Sequence, residues 1–322
     1  MRDGAAIVDR REVGRIVLRG NDRRSYLQGL LTNDVEALTP GTGCYAAMLT
    51  AQGRMLSDMR VLELGDSVLL DVPIEVTTAI RDHLDRFIFS EDVTVEDVSA
   101  ARAELGLYGP RAFDVLQHAG VEGSAPPVLF ASGRVRIAGS EALLVRSDAI
   151  GIPGYDVVAA AADVPAIRAA LEKAGAVPAS DADAETVRIE SGRPRFGKDL
   201  DDTTIPLEAG LEDRAISRTK GCYVGQEVIV RVQDRGQGRV ARRLVSLTFG
   251  ADAAVPGAGA AIAAADREIG RVTSAVWSPS LQRPIALGYA HRDFTAAGTH
   301  LSVNGADALV EASPLVPLEH RD

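Results

Sequence analysis

Two of the 322 residues are cysteines, Cys44 and Cys222. Cys222 follows Lys220 by two positions. It lies between Gly221 and Gly225, ahead of a stretch from Gln226 to Val232 that reads as a helix start. An ammonium and a helix N-terminus make the electropositive setting that activates thiols, which suits a nucleophile, a redox group or a transient metal ligand. A small cysteine filling space between glycines fits the same residues equally well. Around it Arg214, Arg218, Lys220, Arg231, Arg235, Arg239, Arg242 and Arg243 face only Asp213, Glu227 and Asp234, in a chain whose net charge is −10. Such a local reversal steers anionic ligands, although a solvated helix face has the same composition.

Two carboxylates stand out next. Asp58 lies within RMLSDMRVLEL, an otherwise largely apolar strand, where alternation places Leu56 and Leu62 on its face. A carboxylate there is costly unless it is paired or used, and Arg60, on the same face, is the structural partner to expect. Glu190 falls near the end of a helix, just before Gly192. Carboxylates grip N–H-rich ligand edges through paired hydrogen bonds, but a surface acid would look the same.

Other patterns fail on context. GTGCYA (41–46) fits the glycine pattern of dinucleotide loops, yet it follows a helix and Pro40 and opens a strand, the reverse of what that loop requires. No P-loop, H-E-x-x-H or C-x-x-C is present. The five histidines, at 83, 118, 291, 300 and 320, are scattered, whereas a metal site needs several ligands to converge. Two cysteines cannot hold an iron–sulfur cluster by themselves.

The elements that must position these residues are read from periodicity and breakers. Strands are expected over residues 16–18, 44–50, 54–64, 67–72, 93–98, 103–108, 134–138, 142–146 and 155–160. Helices are expected after the Asn21–Asp22 cap, from Pro73 to about Phe87, from Pro110 to Gly120, from Asp163 to Gly175, and from Asp181 or Asp183 to Gly192. Strand pairs mixed with single helices predict α+β layers with antiparallel sheets. From Leu244 on, strands at 244–249, 268–277, 285–291, 300–303 and 308–312 without a helix predict a small β-barrel. The Ala-rich run 258–266 reads as a surface turn. The domain boundary is expected between 236 and 243, giving 1–238 and 239–322.

Composition bounds the class. Hydrophobic residues make up 46% and charged residues 25%, as in ordinary globular proteins, and aromatics only 4%. The acidic balance disfavours wrapping nucleic acid. Few cysteines point to a reducing compartment, and no apolar run approaches a bilayer span. The expectation is a cytoplasmic protein without a membrane partner.

Five blocks, YLQGLLTNDV (26–35), GRMLSDMRVLEL (53–64), RIESGRPRFGKDL (188–200), IPLEAGL (205–211) and KGCYVGQEVIVR (220–231), carry a resemblance. In this order they resemble the aminomethyltransferase (GcvT) superfamily over nearly the whole chain. The resemblance implies a folate-binding fold of antiparallel sheets and helices around a central channel, with a C-terminal barrel. It implies tetrahydrofolate or a one-carbon-substituted folate as ligand. Asp58 would approach the reactive folate nitrogens, Glu190 would hold the pterin, Arg231 would meet the glutamyl tail, and Lys220 and Tyr223 of the signature would join the binding site. Aminomethyltransferases carry a related K-x-x-F-I-G segment, usually without the cysteine; K-G-C-Y-x-G-Q-E is similar to the YgfZ-type subfamily. That likeness implies a folate-dependent accessory role for iron–sulfur enzymes, with Cys222 as functional thiol and iron–sulfur client or assembly proteins as partners. Retention of Asp58 implies the alternative, a tetrahydrofolate-dependent aminomethyltransferase.

Overall fold

The computed structural model describes residues 1–235 and 238–317, with residues 234 and 235 described by their backbone alone. His320, the start of the expected boundary at 236, and the side chains of Asp234 and Arg235 lie outside the described residues. In chain order the elements begin with β1 (Ala6–Asp9), β2 (Val13–Arg19), α1 (Arg23–Leu30), β3 (Thr42–Leu49), β4 (Met55–Glu63), β5 (Val68–Pro73) and α2 (Thr77–Arg86). There follow β6 (Thr94–Asp97), β7 (Arg102–Tyr108), α3 (Ala112–His118), β8 (Ser132–Ile137), β9 (Ser140–Ser147), β10 (Gly154–Ala160), α4 (Val164–Lys173) and β11 (Val177–Pro178). The remainder is α5 (Asp181–Glu190), α6 (Glu212–Ala215), α7 (Gln226–Val230), β12 (Arg242–Phe249), β13 (Ala261–Ala264), β14 (Arg267–Ser278), β15 (Arg283–His291), β16 (His300–Val303) and β17 (Ala306–Glu311).

The chain forms two compact units, and the first is built from three separate segments, Met1–Ala51, Leu56–Asp181 and Arg214–Val224. It holds a five-stranded sheet, β3-β4-β5-β2-β6, and a six-stranded sheet, β11-β1-β7-β10-β9-β8. The period of two decides what each face meets. Ile16, Leu18, Met59, Val61 and Leu70 pack with Leu27 and Leu31 beside α1 and with Ile80 and Leu84 of α2. Leu105, Leu107, Leu144 and Val157 pack with Val115 and Leu116 of α3 and with Ile167 and Leu171 of α4. The opposite faces contribute Val17, Leu62 and Leu69 to one cluster with Leu143, Val145 and Val158.

That inter-sheet layer is not all apolar. Arg60 sits opposite Asp71 in the β4–β5 register and donates to it through Nε at 2.7 Å. It also reaches Asp156 and Glu104, the latter at 3.4 Å. Arg15 adds a contact to Glu104 at 3.2 Å, and Arg10 and Tyr108 close on Asp156. Burial, with Asp156 and Asp71 nearby, pushes Glu104 up to about 7 despite Arg60 and Arg15.

The second unit takes in Gln52–Met55, Ala182–Asp213 and the chain from Gly225. Its strands close into a barrel in the order β12-β15-β14-β13-β16-β17, which leaves no unpaired edge. Leu247, Ile262, Val272, Leu301, Val303 and Val310 fill the interior. Ile189 of α5 packs against Ile285 and Leu287.

Several expectations need correction. The Ala-rich run is not a plain turn, because β13 crosses it and Ile262 is fully buried. Alanines tolerate either face, so one buried isoleucine sets the alternation. Pro73 ends β5 rather than opening α2, which starts at Thr77 after a short 3₁₀ turn. Strand β1 had no distinct sequence signal. Leu56 packs with the helix-covered side of its sheet instead of sharing the face of Leu62.

Candidate functional site

Asp58 is buried near the start of β4. Its partner is not Arg60, which is committed to Asp71 and Asp156, but Tyr45 on the neighbouring strand β3. The Tyr45 hydroxyl donates to Asp58 Oδ2 at 2.5 Å. Burial pushes the Asp58 carboxyl above its ordinary range, while the Tyr45 hydrogen bond and the Arg214 charge pull it back.

Arg214 completes the surroundings. Its guanidinium lies 5.0 Å from the Tyr45 ring centroid and 5.2 Å from that of Phe130, distances at which a cation is attracted to the ring faces. It is held in a two-pronged ion pair by Asp148, at 2.8 and 2.6 Å. Asn33 links the parts, because its amide nitrogen donates to the carbonyls of Tyr45 at 2.8 Å and Arg214 at 3.3 Å. Thr32 does similar work beside it, donating to the Ala215 carbonyl at 2.6 Å and accepting from the Ala47 amide at 2.8 Å. Gly43 permits the close packing here: a Cβ would stand 2.5 Å from the Val61 carbonyl and 2.9 Å from that of Phe130. The second glycine of GTGCYA thus serves sheet packing.

The signature loop belongs to the same unit. Its amides at Ser217 and Val224 donate to the carbonyls of Thr32 at 3.1 Å and Gly29 at 3.2 Å. Between them the Lys220 ammonium donates to the carbonyls of Gln28 (2.6 Å), Leu31 (2.5 Å) and Asn33 (3.0 Å). An ammonium has three hydrogens, so Lys220 caps the end of α1 with its full complement. Burial brings it down to about 8. Its neighbour among the thiols is Cys44, which burial pushes up to about 12 against the opposing Lys220 charge. Tyr223 is buried, with the Lys220 ammonium 5.1 Å from its ring centroid. Cys222 is exposed.

Glu190 and Arg231 fall in the second unit. Glu190, at the end of α5, is buried and accepts from the Ser278 hydroxyl at 2.6 Å. Arg231 caps the C-terminal end of α7 and is exposed. Among the described residues no cluster of three or more potential metal ligands occurs, and no helix is long and apolar enough to cross a membrane. Of the residues around Asp58, Tyr45 and Asp148 escaped sequence reasoning, and Arg214 counted only as one charge in a run. The polar tyrosine one strand away was the available signal.

Two family models match the chain. The GCVT N-terminal domain spans residues 1–220 and the glycine cleavage T-protein C-terminal barrel domain spans residues 242–318. The chain belongs to the glycine cleavage T-protein (GCVT) family. Relatives of this T-protein homologue include an aminomethyltransferase of Geobacillus kaustophilus (strain HTA426), 31% identical, with 99% of this chain and 87% of the relative covered. An aminomethyltransferase of Rubrobacter xylanophilus (strain DSM 9941 / JCM 11954 / NBRC 16129 / PRD-1) is 32% identical, with 90% and 77% covered. The crystal structure of glycine cleavage system aminomethyltransferase T from Bartonella henselae superimposes with a TM-score of 0.87 over 98% of this chain and 88% of that one, at 22% identity. The expected α+β fold of antiparallel sheets with a C-terminal barrel is therefore the fold of this family.

Proposed function

We propose that this T-protein-family chain binds tetrahydrofolate, or a one-carbon-substituted form of it, and acts as an aminomethyltransferase, accepting an aminomethyl group from a carrier protein and releasing ammonia. The observation that carries the reading is Asp58, a buried carboxylate with raised proton affinity, bonded to Tyr45. The names of the relatives favour this enzyme reading over an accessory role. In the first unit Asp58 is a buried carboxylate of the kind that accepts from a folate's N–H groups; in the second unit, taken by itself, Glu190 is another buried carboxylate and Arg231 an exposed cation of the kind that meets a carboxylate tail. The folate supplies secondary-amine nitrogens that take the one-carbon unit; Asp58 holds and passes a proton at its carboxylate. Tyr223 and Lys220 shape the adjoining loop, region 1–238 forms the folate-binding part, 239–322 is the barrel, and the protein works in the cytoplasm.

The decisive measurements are calorimetric titration with tetrahydrofolate and ammonia release from aminomethylated lipoyl carrier protein. Binding with turnover is expected, and turnover should vanish in Asp58→Asn. Folate binding without any ammonia release would overturn the enzyme reading.

A second reading has its own observation. Cys222 is exposed on a loop bonded at several points, within the YgfZ-like signature. It supports a folate-binding accessory of iron–sulfur enzymes, with client or assembly proteins as partners. In a deletion strain, cluster-dependent activities should fall and Cys222→Ala should fail to restore them; full restoration by that variant removes the thiol from the function.

A further inference from the structure

We propose that Tyr45, Arg214 and Asp148 are positioning residues that hold Asp58 as the proton carrier of the transfer step. The inference rests on the aminomethyltransferase reading above. It starts from the way three other segments gather, directly or through one another, around one carboxylate. Tyr45 comes from β3, Asp58 from β4, Asp148 from the turn after β9, and Arg214 from the returning segment Arg214–Val224.

Each contact restricts one freedom. The Tyr45 hydroxyl engages Oδ2, which fixes the carboxylate plane and leaves Oδ1 as the oxygen it does not occupy. The Tyr45 ring cannot drift, because the Arg214 guanidinium lies against it and against Phe130. Arg214 in turn is anchored by the two-pronged Asp148 pair and by the Asn33 amide, which bonds the backbone carbonyls of Tyr45 and Arg214 together. A bidentate arginine–carboxylate pair has a preferred planar geometry, so Arg214 is a rigid wedge.

Charge follows from the same arrangement. The groups facing Asp58 are Tyr45 and Arg214, with Asp148 behind Arg214; Arg60 on the same strand is neutralised by Asp71 and Asp156. Asp148 balances the Arg214 cation. Asp58 therefore sits beside a cation that belongs to another anion, which leaves burial in control of its proton affinity. Two levers act in opposite directions. The Tyr45 hydrogen bond favours the ionised carboxylate, whereas Asp148 disfavours it by cancelling Arg214.

This setting suits the transfer. As a carbon–nitrogen bond forms to the acceptor amine, Asp58 Oδ1 takes the N–H proton that amine loses. As the carbon–nitrogen bond to the departing amine breaks, Asp58 returns that proton, and the amine leaves as ammonia; the second folate nitrogen then displaces the carrier's lipoyl sulfur from the same carbon, its N–H proton passing through Asp58 to the sulfur, which leaves as the free thiol. Asp58 ends as it began.

The test uses the full-length protein with ¹³C-labelled aspartate, the Asp58 resonance being assigned by its loss in Asp58→Asn. Its titration midpoint should move up in Tyr45→Phe and down in Asp148→Asn, and the acid limb of the kcat profile should follow in each. In Tyr45→Phe, kcat should fall about tenfold to a hundredfold, with the KM for tetrahydrofolate unchanged. Midpoints that stay put, or move the same way in both variants, overturn the proposal. A raised KM with unchanged kcat also overturns it. Midpoints that move as stated in a protein without turnover overturn the transfer reading, and the carrier role with it; turnover with unmoved midpoints overturns the positioning roles alone.

Discussion

Asp58 is a carboxylate kept where water would be the cheaper solvent. Burial raises its proton affinity, so the folded chain binds this proton more tightly than the unfolded chain. The associated stability is present below the ordinary carboxylate range and is lost as pH rises through the raised folded value. Above that point the ionised group is a net burden. Asp58→Asn should accordingly abolish transfer, yet match or exceed the parent in thermal denaturation, by a margin that widens as pH rises from the ordinary carboxylate range through the raised folded value and is constant above it. A variant less stable at pH 8 than the parent would contradict this. The sequence made the residue visible, since a carboxylate in RMLSDMRVLEL demands an explanation. It did not reveal the partner. Alternation identifies a face but not the register of the next strand. Arg60 was the obvious candidate until Asp71 proved to stand directly opposite it.

Among the elements, the loop from Ser217 to Val224 shows how a motif can be conspicuous and yet be read for the wrong physics. Lys220 stood beside Cys222 in the sequence and invited a pairing of charge with thiol. The ammonium instead caps α1 through the carbonyls of Gln28, Leu31 and Asn33, as basic side chains do at helix C-termini. Lys220→Met leaves those carbonyls without their donor and should cost about 1–3 kcal/mol of stability. Amide hydrogen exchange should quicken across residues 217–224, with the barrel strands unchanged. Exchange that remains slow in the loop would show that its backbone bonds alone suffice. The helix start at Gln226 was legible from periodicity. Strand β13 was not, because alanine carries almost no directional hydrophobic signal, and only Ile262 marks the inward face.

At the scale of the molecule, the first unit places Arg10, Arg15 and Arg60 against Asp71, Glu104 and Asp156 between two sheets. Removing one partner from such a network leaves uncompensated buried charge, so Arg60→Met should cost about 3–5 kcal/mol in chemical denaturation. Glu104 adds a pH signature. Its folded value is raised to about 7, so unfolding releases a proton between the ordinary glutamate range and about 7. Stability should decline with rising pH across that window and flatten above it, and Glu104→Gln should flatten the decline; an unchanged slope would assign it to another group. The fold class was readable because strand and helix periodicities agreed with the order of five sequence blocks. The buried charge layer was not, since Arg15, Asp71, Glu104 and Asp156 are scattered in sequence and meet only through sheet packing.

The three-segment construction of that unit governs how the protein is made. Tyr45, Asp58 and Asp148 leave the ribosome long before Arg214, and the unit is complete only with the segment that ends at Val224. Domains tend to fold from the N-terminus during synthesis. A chain cut short before that segment still carries Asp58, Tyr45 and Asp148 but lacks the Arg214 guanidinium that pairs with Asp148 and lies against the Tyr45 ring.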